Sequence, residues 1–243
     1  MNRADSEGGE EPGSLHGQDL VAVLEEDADL LATVPRGDVG VARKRLVARQ
    51  FTLEPGPWDG DADTESLGLL VLEGLLTRDV CVAESCSREL LGAGDVIRPW
   101  DDESALGSFS AQASWTVIEP TRLAVLDARF TKLLGRWPAL AGEIISRVLR
   151  RSRWLAIRLA IANTRGLADR IMLLFWHLAG NWGRVTSAGT LLPIDLTHEL
   201  IADLIGARRP SVTTAITELR EEGRLERDEE GWVLRGSGPT RAS

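Results

Sequence analysis

The sequence predicts an α+β protein with an N-terminal β-roll, a long helix and a C-terminal winged helix-turn-helix. Three observations lead to this prediction. Short apolar runs separated by turn residues fill the segment 46–126, a helical spacing of apolar residues begins at Pro138, and two short apolar-periodic segments meet at Gly206. The predicted divisions are an acidic arm at 1–19, a roll at 20–132, a long helix at 133–164 and a winged domain at 165–236.

Composition and charge narrow the class of protein. The chain has 243 residues and a net charge of −9, which argues against indiscriminate coating of nucleic acid but leaves room for a local docking patch. No apolar run of about 18 residues is present, so no membrane span is expected. The first 14 residues are acidic and glycine-rich, which predicts a disordered arm and not a secretory signal.

Only two cysteines occur, Cys81 and Cys86. Two are too few for a disulfide scaffold and are consistent with a reducing cytoplasm. An iron–sulfur cluster needs four cysteine ligands, so two cysteines argue against one, with a cluster shared across a dimer as the alternative. We therefore expect both cysteines to be ordinary strand residues.

The segment 46–126 alternates runs such as VARQFTL and TRLAVLD with Gly, Pro and Asp. This alternation of apolar runs and turn residues favours an antiparallel sheet rolled into a sandwich or barrel, with buried helices as the alternative. Before it, Leu20 to Leu31 is expected to form one short helix, and Val41 to Arg49 to add a further helical turn.

From Pro138 the period becomes helical. Apolar residues and one serine recur at spacings of four, three, four and three: Ala141, Ile145, Val148, Ser152, Leu155, Leu159 and Ala162. This seam indicates either a two-stranded coiled coil between two copies of the chain or a helix lying on its own core. The other faces carry arginines. A second apolar helix, Gly166 to Trp182, predicts the core of a smaller domain, with His177 as a satisfied core or boundary residue.

The C-terminal segment has the local signals of two helices and a hairpin. Thr197 is an N-cap candidate, Gly206 suits a tight turn, Pro210 suits the first turn of the next helix, and Gly223 suits its end. Gly183 to Ile194 is expected to be a strand or a loop. Two strands joined by an acidic turn at 228–231 complete a winged helix-turn-helix.

The block THELIADLIGARRPSVTTAITELREEG resembles the DNA-binding region of the Crp/Fnr family of bacterial transcription regulators. Gly94-Asp95-Val96-Ile97 resembles the family's G-D-x-I turn, and Thr121 to Phe130 resembles the strand that leads into its long helix. The resemblance covers roughly Leu20 to Arg235. It implies a jelly-roll that is like a cyclic-nucleotide-binding domain, followed by a dimerisation helix and a DNA-binding domain.

The family's properties give a set of expected site residues and partners. The DNA-binding residues would be Thr197, Arg208, Arg209, Ser211, Thr213 and Thr214, with Arg209 at the principal base-reading position. The dimerisation residues would be Ala141, Ile145, Val148, Leu155, Leu159 and Ala162. The resemblance implies a cytoplasmic homodimer that binds double-stranded DNA at a palindromic operator, with RNA polymerase as a candidate partner and no membrane association.

One departure from the family concerns the cyclic-nucleotide site. Members that bind a cyclic nucleotide carry Gly-Glu after the turn and an arginine about ten residues later, whereas this chain has Arg98-Pro99 and no Arg or Lys from Pro99 to Pro120. A buried phosphate would lack a cation. We therefore expect no cyclic-nucleotide control and no cofactor. Any effector, whose identity is unknown, would contact Trp100, Trp115 or Arg98, with the equal alternative that these are rim and core residues of the roll.

Two alternatives come from other classes of protein. A metal enzyme of the cupin kind needs clustered histidines, but His16, His177 and His198 all lie outside the roll, so no enzyme or metal site is expected. A protein-interaction module remains open because several acidic residues lie near the presumed DNA face: Glu218, Glu221, Glu222 and Glu226. Arg208 and Arg209 favour DNA.

Overall fold

The structure is a computed structural model that describes residues 19–60, 66–101 and 110–238. Almost all of the predicted acidic arm, and His16 with it, lies outside the described residues. The chain divides into two compact units. The first holds the chain up to Leu76, Gly92–Trp100 and Val117–Ile145, and the second holds Thr77–Leu91, Asp101–Thr116 and the chain from Ser146 onwards. None of the described helices is both long and apolar enough to cross a membrane.

The described part of the chain begins with a strand, and the prediction of one helix from 20 to 31 was wrong. The first elements are β1 (Asp19–Ala22), α1 (Val23–Glu26), α2 (Ala28–Ala32), α3 (Val39–Arg45) and β2 (Val47–Leu53). Asp27 has an extended backbone, with φ at −130°, and its side chain accepts a hydrogen bond from the backbone N–H of Leu30 at 3.0 Å. This N-cap starts a new helix and so interrupts the predicted one. The helical turn expected at 41–49 ends at Arg45, where the chain turns into β2.

The predicted antiparallel sheet is confirmed, and its alternative of buried helices is wrong. The remaining strands of this sheet are β3 (Gly56–Trp58), β4 (Gly68–Val82), β5 (Ser85–Gly92), β6 (Val96–Ile97) and β7 (Ala111–Leu126). The strand order is β1-β2-β7-β4-β5, with β3 paired to β7 and β6 paired to β4. The register of β2 on β7 joins Arg49 to Val125 and Leu53 to Thr121.

The core of the first unit combines this sheet with the helices on either side of it in sequence. After β7 come α4 (Ala128–Leu134) and α5 (Pro138–Ala162). Trp137 is 2% exposed, and its indole N–H donates to the Asp38 carboxylate at 3.0 Å. Leu140 and Ile144 of α5 belong to the same core, so the first turns of α5 pack on their own unit.

The second unit ends in a compact winged domain. Its elements are α6 (Leu167–Trp182), β8 (Arg184–Thr186), β9 (Gly189–Leu192), α7 (His198–Ile205), α8 (Arg209–Glu221), β10 (Leu225–Asp228) and β11 (Gly231–Leu234). The segment 183–194, expected to be a strand or a loop, forms the β8–β9 hairpin. The strand order is β10-β11-β9-β8, all antiparallel, and the apolar face of α6 is buried as predicted.

Candidate nucleic-acid interface

Helix α7 is closed at its start by a side-chain hydrogen bond and at its end by a backbone hydrogen bond. The Thr197 hydroxyl accepts a hydrogen bond from the backbone N–H of Leu200 at 3.1 Å, so Thr197 is the N-cap of α7 as the sequence predicts. Gly206 ends α7 in the left-handed region, with φ at 63°. The next amide, that of Ala207, then returns to the carbonyl of Ala202 at 2.9 Å.

Helix α8 has a buried face and an exposed N-terminal turn. Val212, Ala215, Ile216 and Leu219 are buried, and α8 packs against α6 and α7. Arg208 is the N-cap residue, but its side chain makes no capping hydrogen bond. Pro210 lies in the first turn, where its missing N–H has no helical partner to lose. The start of α8 therefore faces solvent with backbone N–H groups that no side chain caps.

All six predicted DNA-binding residues are exposed, with Thr197 at the start of α7 and the other five at the start of α8: Arg208, Arg209, Ser211, Thr213 and Thr214. Within the described part of the chain, no carboxylate pairs with the guanidinium groups of Arg208 and Arg209. The positive end of the helix dipole lies at the same place. The arrangement is electropositive even though the whole chain is acidic.

The hydroxyl groups of this surface differ in their remaining capacity to donate or accept hydrogen bonds. Thr213 and Thr214 donate to the carbonyls of Arg209 at 3.1 Å and of Pro210 at 3.3 Å. Their hydroxyls are therefore left as acceptors. The Thr197 hydroxyl accepts as an N-cap and keeps its proton to donate.

Arginines from other elements bind the carbonyl groups at the end of α7. Arg158 of α5 donates to the carbonyl of Leu204 at 3.3 Å and also to the carbonyl of Arg88. Arg170 of α6 donates to the carbonyl of Ile205 at 3.5 Å. Burial lowers the pKa of Arg158, and nearby Glu89 opposes this effect. Guanidinium groups thus occupy the negative end of the α7 dipole.

The β4–β5 hairpin makes a second link to α7, which the sequence analysis missed. Arg88 donates to both carboxylate oxygens of Asp79, at 2.7 and 2.8 Å, and to Asp203 of α7 at 2.5 Å. The hydrogen bond to Asp79 is the largest cause of the raised pKa of Arg88, and the charges of Asp79 and Asp203 add to it. On the same hairpin, Glu89 accepts two bonds from Arg151 of α5, at 2.8 and 2.7 Å.

Cys81 and Cys86 form a disulfide, so the expectation that they are ordinary strand residues was wrong. Ala83 and Glu84 form the turn between β4 and β5, and a separation of five residues places the cysteines opposite each other. The sequence carried a signal for this hairpin. Arg78-Asp79 before the turn mirrors Arg88-Glu89 after it, and the structure pairs Asp79 with Arg88 and Arg78 with Glu89.

The wing is acidic at its tip, as predicted. Asp228, Glu229 and Glu230 are exposed where β10 turns into β11, and Arg184 of β8 pairs with Glu230. Arg227 pairs with Asp195 at 2.5 Å. Of the acidic residues near α8, Glu222 pairs with Arg224 and Glu226 pairs with Arg235. Glu218 and Glu221 are exposed on α8.

The candidate effector residues of the roll are engaged by protein groups. Arg98 donates to the carbonyl of Leu67 at 2.9 Å, and its guanidinium lies 5.4 Å from the ring centroid of Trp100. Trp115, 5% exposed, lies under the guanidinium of Arg78 at 5.7 Å. The structure therefore shows protein contacts for all three residues predicted to meet an effector.

On α5 the predicted seam divides into exposed and partly buried positions. Four of its apolar members are exposed: Ile145, Val148, Leu155 and Leu159. Ala141 and Ala162, at the two ends, are half-buried, and Ala141 packs against the core of the first unit. Arg147, on another face of the helix, is 7% exposed.

His177 is a half-buried boundary residue in an aromatic cluster, as predicted, but it is not fully satisfied. Its ring meets Trp154 edge-on at 5.0 Å, and Trp154 meets Trp182 at 6.1 Å. Nε2 of His177 is buried and has no hydrogen-bond partner among the described residues. Burial, and to a lesser degree the charge of Arg158, lowers the pKa of His177.

Comparison with known proteins identifies the DNA-binding domain and the fold. Residues 167–235 match the sequence model of the Crp-like helix-turn-helix domain. No protein with a curated description matches the chain in sequence. A mutant of CooA from Carboxydothermus hydrogenoformans is 17% identical, with 92% of this chain and 94% of that chain covered at a TM-score of 0.61.

Two further solved structures share the fold. A cyclic nucleotide-binding domain containing protein from Listeria monocytogenes is 17% identical, with 85% of this chain and 96% of that chain covered at a TM-score of 0.60. A transcriptional regulator of the CRP family from Thermus thermophilus is 19% identical, with 76% of this chain and 91% of that chain covered at a TM-score of 0.53.

These findings define the class first: the chain is a winged helix-turn-helix protein with an N-terminal antiparallel sheet domain. Residues 167–235 are a Crp-like helix-turn-helix domain, and the chain shares its fold with the mutant of CooA and with the transcriptional regulator of the CRP family from Thermus thermophilus. The resemblance predicted from the sequence is confirmed.

The lowered pKa of His177 gives a prediction for stability against pH. Above about pH 6.5, the ordinary pKa of histidine, His177 is neutral in both the folded and the unfolded chain. Below that pH the unfolded chain binds the proton first, so stability falls as pH falls toward the lowered pKa of the folded state. His177→Phe keeps an aromatic ring beside Trp154 without a titrating group. We expect the free energy of unfolding of the wild type to decrease more than that of this variant between about pH 7.5 and about pH 5.5, measured by denaturant titration. Equal decreases would contradict the assignment.

Proposed function

We propose that the protein is a sequence-specific DNA-binding transcription regulator whose helix α8 is the recognition helix and enters the major groove by its N-terminal turn. The observation that carries this proposal is the pair Arg208-Arg209 at the exposed, uncapped start of α8, with no carboxylate partner among the described residues. Two positive charges at the positive end of a helix repel each other and the dipole. The phosphates of DNA relieve this repulsion, since an anion at a helix N-terminus is favoured.

Each residue of this surface has a proposed role that follows from its hydrogen-bonding capacity. Arg209 can give a bidentate pair to O6 and N7 of guanine. Arg208 and the free hydroxyl proton of Thr197 suit phosphate oxygens, which only accept. The exposed Ser211 can donate to either. Thr213 and Thr214, with their protons committed to α8, suit base amino groups or thymine methyl groups.

Substitution of the two arginines separates base reading from phosphate contact. Arg209→Ala should weaken binding to the selected operator by about 1–3 kcal/mol and relax one base position in each half-site. Arg208→Ala should weaken binding to all sequences alike and flatten the salt dependence. The measurement is binding-site selection followed by titration at two salt concentrations. An unchanged motif and affinity for Arg209→Ala would contradict the assignment of Arg209 as the base reader. A wild type that selects no motif would instead favour a protein-interaction module with Glu218 and Glu221 on its surface.

We also propose that two copies of the chain pair through α5 and bind a palindromic operator. Ile145 is 57% exposed and Leu159 is 66% exposed. Val148 and Leu155, which are also exposed, lie between them on the same seam of the helix. An apolar stripe of this length on one helix is costly in water and is typical of a helix–helix interface. A two-fold dimer presents two recognition helices, which matches a site made of two inverted half-sites.

The dimer proposal is tested by placing charge in the stripe. Val148→Glu with Leu155→Glu should give monomers with little specific DNA affinity, since like charges would face each other across the pair. Light scattering measures the mass of the assembly in solution. Ser152→Glu, at a polar position of the same seam, is a milder variant for comparison. A Val148→Glu/Leu155→Glu protein that is still dimeric would refute the proposal.

We further infer that cyclic nucleotides do not control the protein. The roll offers Arg98 beside the turn that starts at Gly94, but its guanidinium already binds the carbonyls of Ser66 and Leu67. From Pro99 to Pro120 the sequence supplies no other cation for a cyclic phosphate. Calorimetry with cyclic AMP and cyclic GMP should show no binding at micromolar concentrations, and micromolar binding of either would overturn the inference.

The remaining parts of the proposal follow from the type of protein. The relatives in fold are transcription regulators, so we infer that the chain is not an enzyme. Its site of action would be the cytoplasm, where the DNA lies, and RNA polymerase would be its partner at a promoter.

A further inference from the structure

A short chain of hydrogen bonds connects the first residue of α7 to the first residue of α8. Nδ1 of His198 lies 3.0 Å from the hydroxyl oxygen of Thr213. The same hydroxyl donates its proton to the carbonyl oxygen of Arg209 at 3.1 Å. A hydroxyl has one proton, so toward His198 it accepts, and this network assigns a proton to Nδ1. The bonds therefore run in series from His198 through Thr213 to the backbone of Arg209.

An aromatic ring lies beside the imidazole of His198. Its ring centroid lies 6.5 Å from that of Trp232, with the planes inclined by 36°. Trp232 is 3% exposed and meets Phe175 edge-on at 5.2 Å. The imidazole of His198 therefore has a buried aromatic neighbour on one side and the Thr213 hydroxyl at Nδ1.

The start of α8 has few restraints of its own. Arg208 makes no side-chain capping bond, and Pro210 has no backbone N–H to contribute. The bond from His198 supplies a restraint from α7. It acts one helical turn from Arg209, on the residue whose hydroxyl binds the Arg209 carbonyl.

We propose that His198 is a positioning residue for DNA readout: through Thr213 it fixes the first turn of α8 and with it the direction in which the Arg209 side chain leaves the helix. This inference rests on the proposed role of Arg209 as the base reader.

The proposal predicts a specific signature in DNA binding. A bidentate pair between a guanidinium and a guanine depends on orientation, whereas the attraction of an arginine to phosphates depends mainly on charge. Loss of the His198 bond leaves every charge of the arginines in place. It should therefore lower the affinity for the operator and leave the affinity for random DNA nearly unchanged.

Four variants test this signature. His198→Phe keeps a ring beside Trp232 and removes the donor, while His198→Asn keeps an amide N–H near the place of Nδ1. Thr213→Val removes the hydroxyl that joins the two helices. Thr217→Val is the matched control, because Thr217 donates to the carbonyl of Thr213 at 3.0 Å in the same way but makes no hydrogen bond with His198.

The readout is the ratio of operator affinity to random-DNA affinity for the full-length chain, with the operator taken from the wild-type selection. A loss of folded protein would lower both affinities and leave this ratio unchanged. We expect His198→Phe to lower the ratio about three- to tenfold, as expected for one net hydrogen bond. His198→Asn should restore most of it, and Thr217→Val should not change it.

A double-mutant cycle completes the test. Because the two bonds act in series, His198→Phe with Thr213→Val should lose no more than the larger single variant. Four outcomes would each overturn the inference while the proposed function stands. They are additive losses in the double variant, an unchanged ratio for His198→Phe, equal losses on random DNA, and a failure of His198→Asn to restore the ratio. A wild type that selects no operator would instead refute the proposed function, and the inference with it.

Discussion

The placement of the helix-turn-helix depends on a cation that is largely removed from water. The guanidinium of Arg158 binds the carbonyls of Arg88 and Leu204, while its Nε and Nη1 have no hydrogen-bond partner among the described residues. A buried charge of this kind is tolerated only where dipoles compensate it, and the last carbonyls of α7 supply them. Arg170 adds a second guanidinium at the same helix end. The turn at Gly206 thus starts from a helix terminus that is held on several sides, and the direction of α8 follows from it.

The sequence predicted the elements whose signals are local. Thr197, Gly206 and Gly223 each mark a helix boundary through the chemistry of one residue, and the structure places all three as expected, with φ at 63° for Gly206 and 67° for Gly223. The long helix and the antiparallel sheet were also predictable, because their apolar periods repeat over many residues. Periodicity does not indicate, however, which residues of a helix pack on its own unit and which stay exposed. Leu140 and Ile144 of α5 face its own unit, while Ile145 beside them is exposed.

Two of the features that the sequence did not predict depend on residues that are distant in the chain or on a single interrupting side chain. Arg88 and Asp203 are 115 residues apart, and no spacing rule joins them. Asp27 divides a helical pattern because its carboxylate competes for a backbone amide, an effect that apolar periodicity does not register. The disulfide was missed for a different reason: two cysteines were too few for a scaffold, and the mirrored charges on either side of them were not interpreted as a hairpin.

The positive charge at the start of α8 belongs entirely to arginine, and the chain from Leu167 to Arg235 contains no lysine. An arginine keeps its charge at any pH that a cell reaches, and it is not a substrate for acetylation, the modification that removes the charge of lysine. Neither route can therefore weaken the electrostatic attraction of this surface for an anion. Regulation of its binding therefore leaves the charge of the two guanidinium groups unchanged, and acts either on where they are held or on the proposed pairing of two chains.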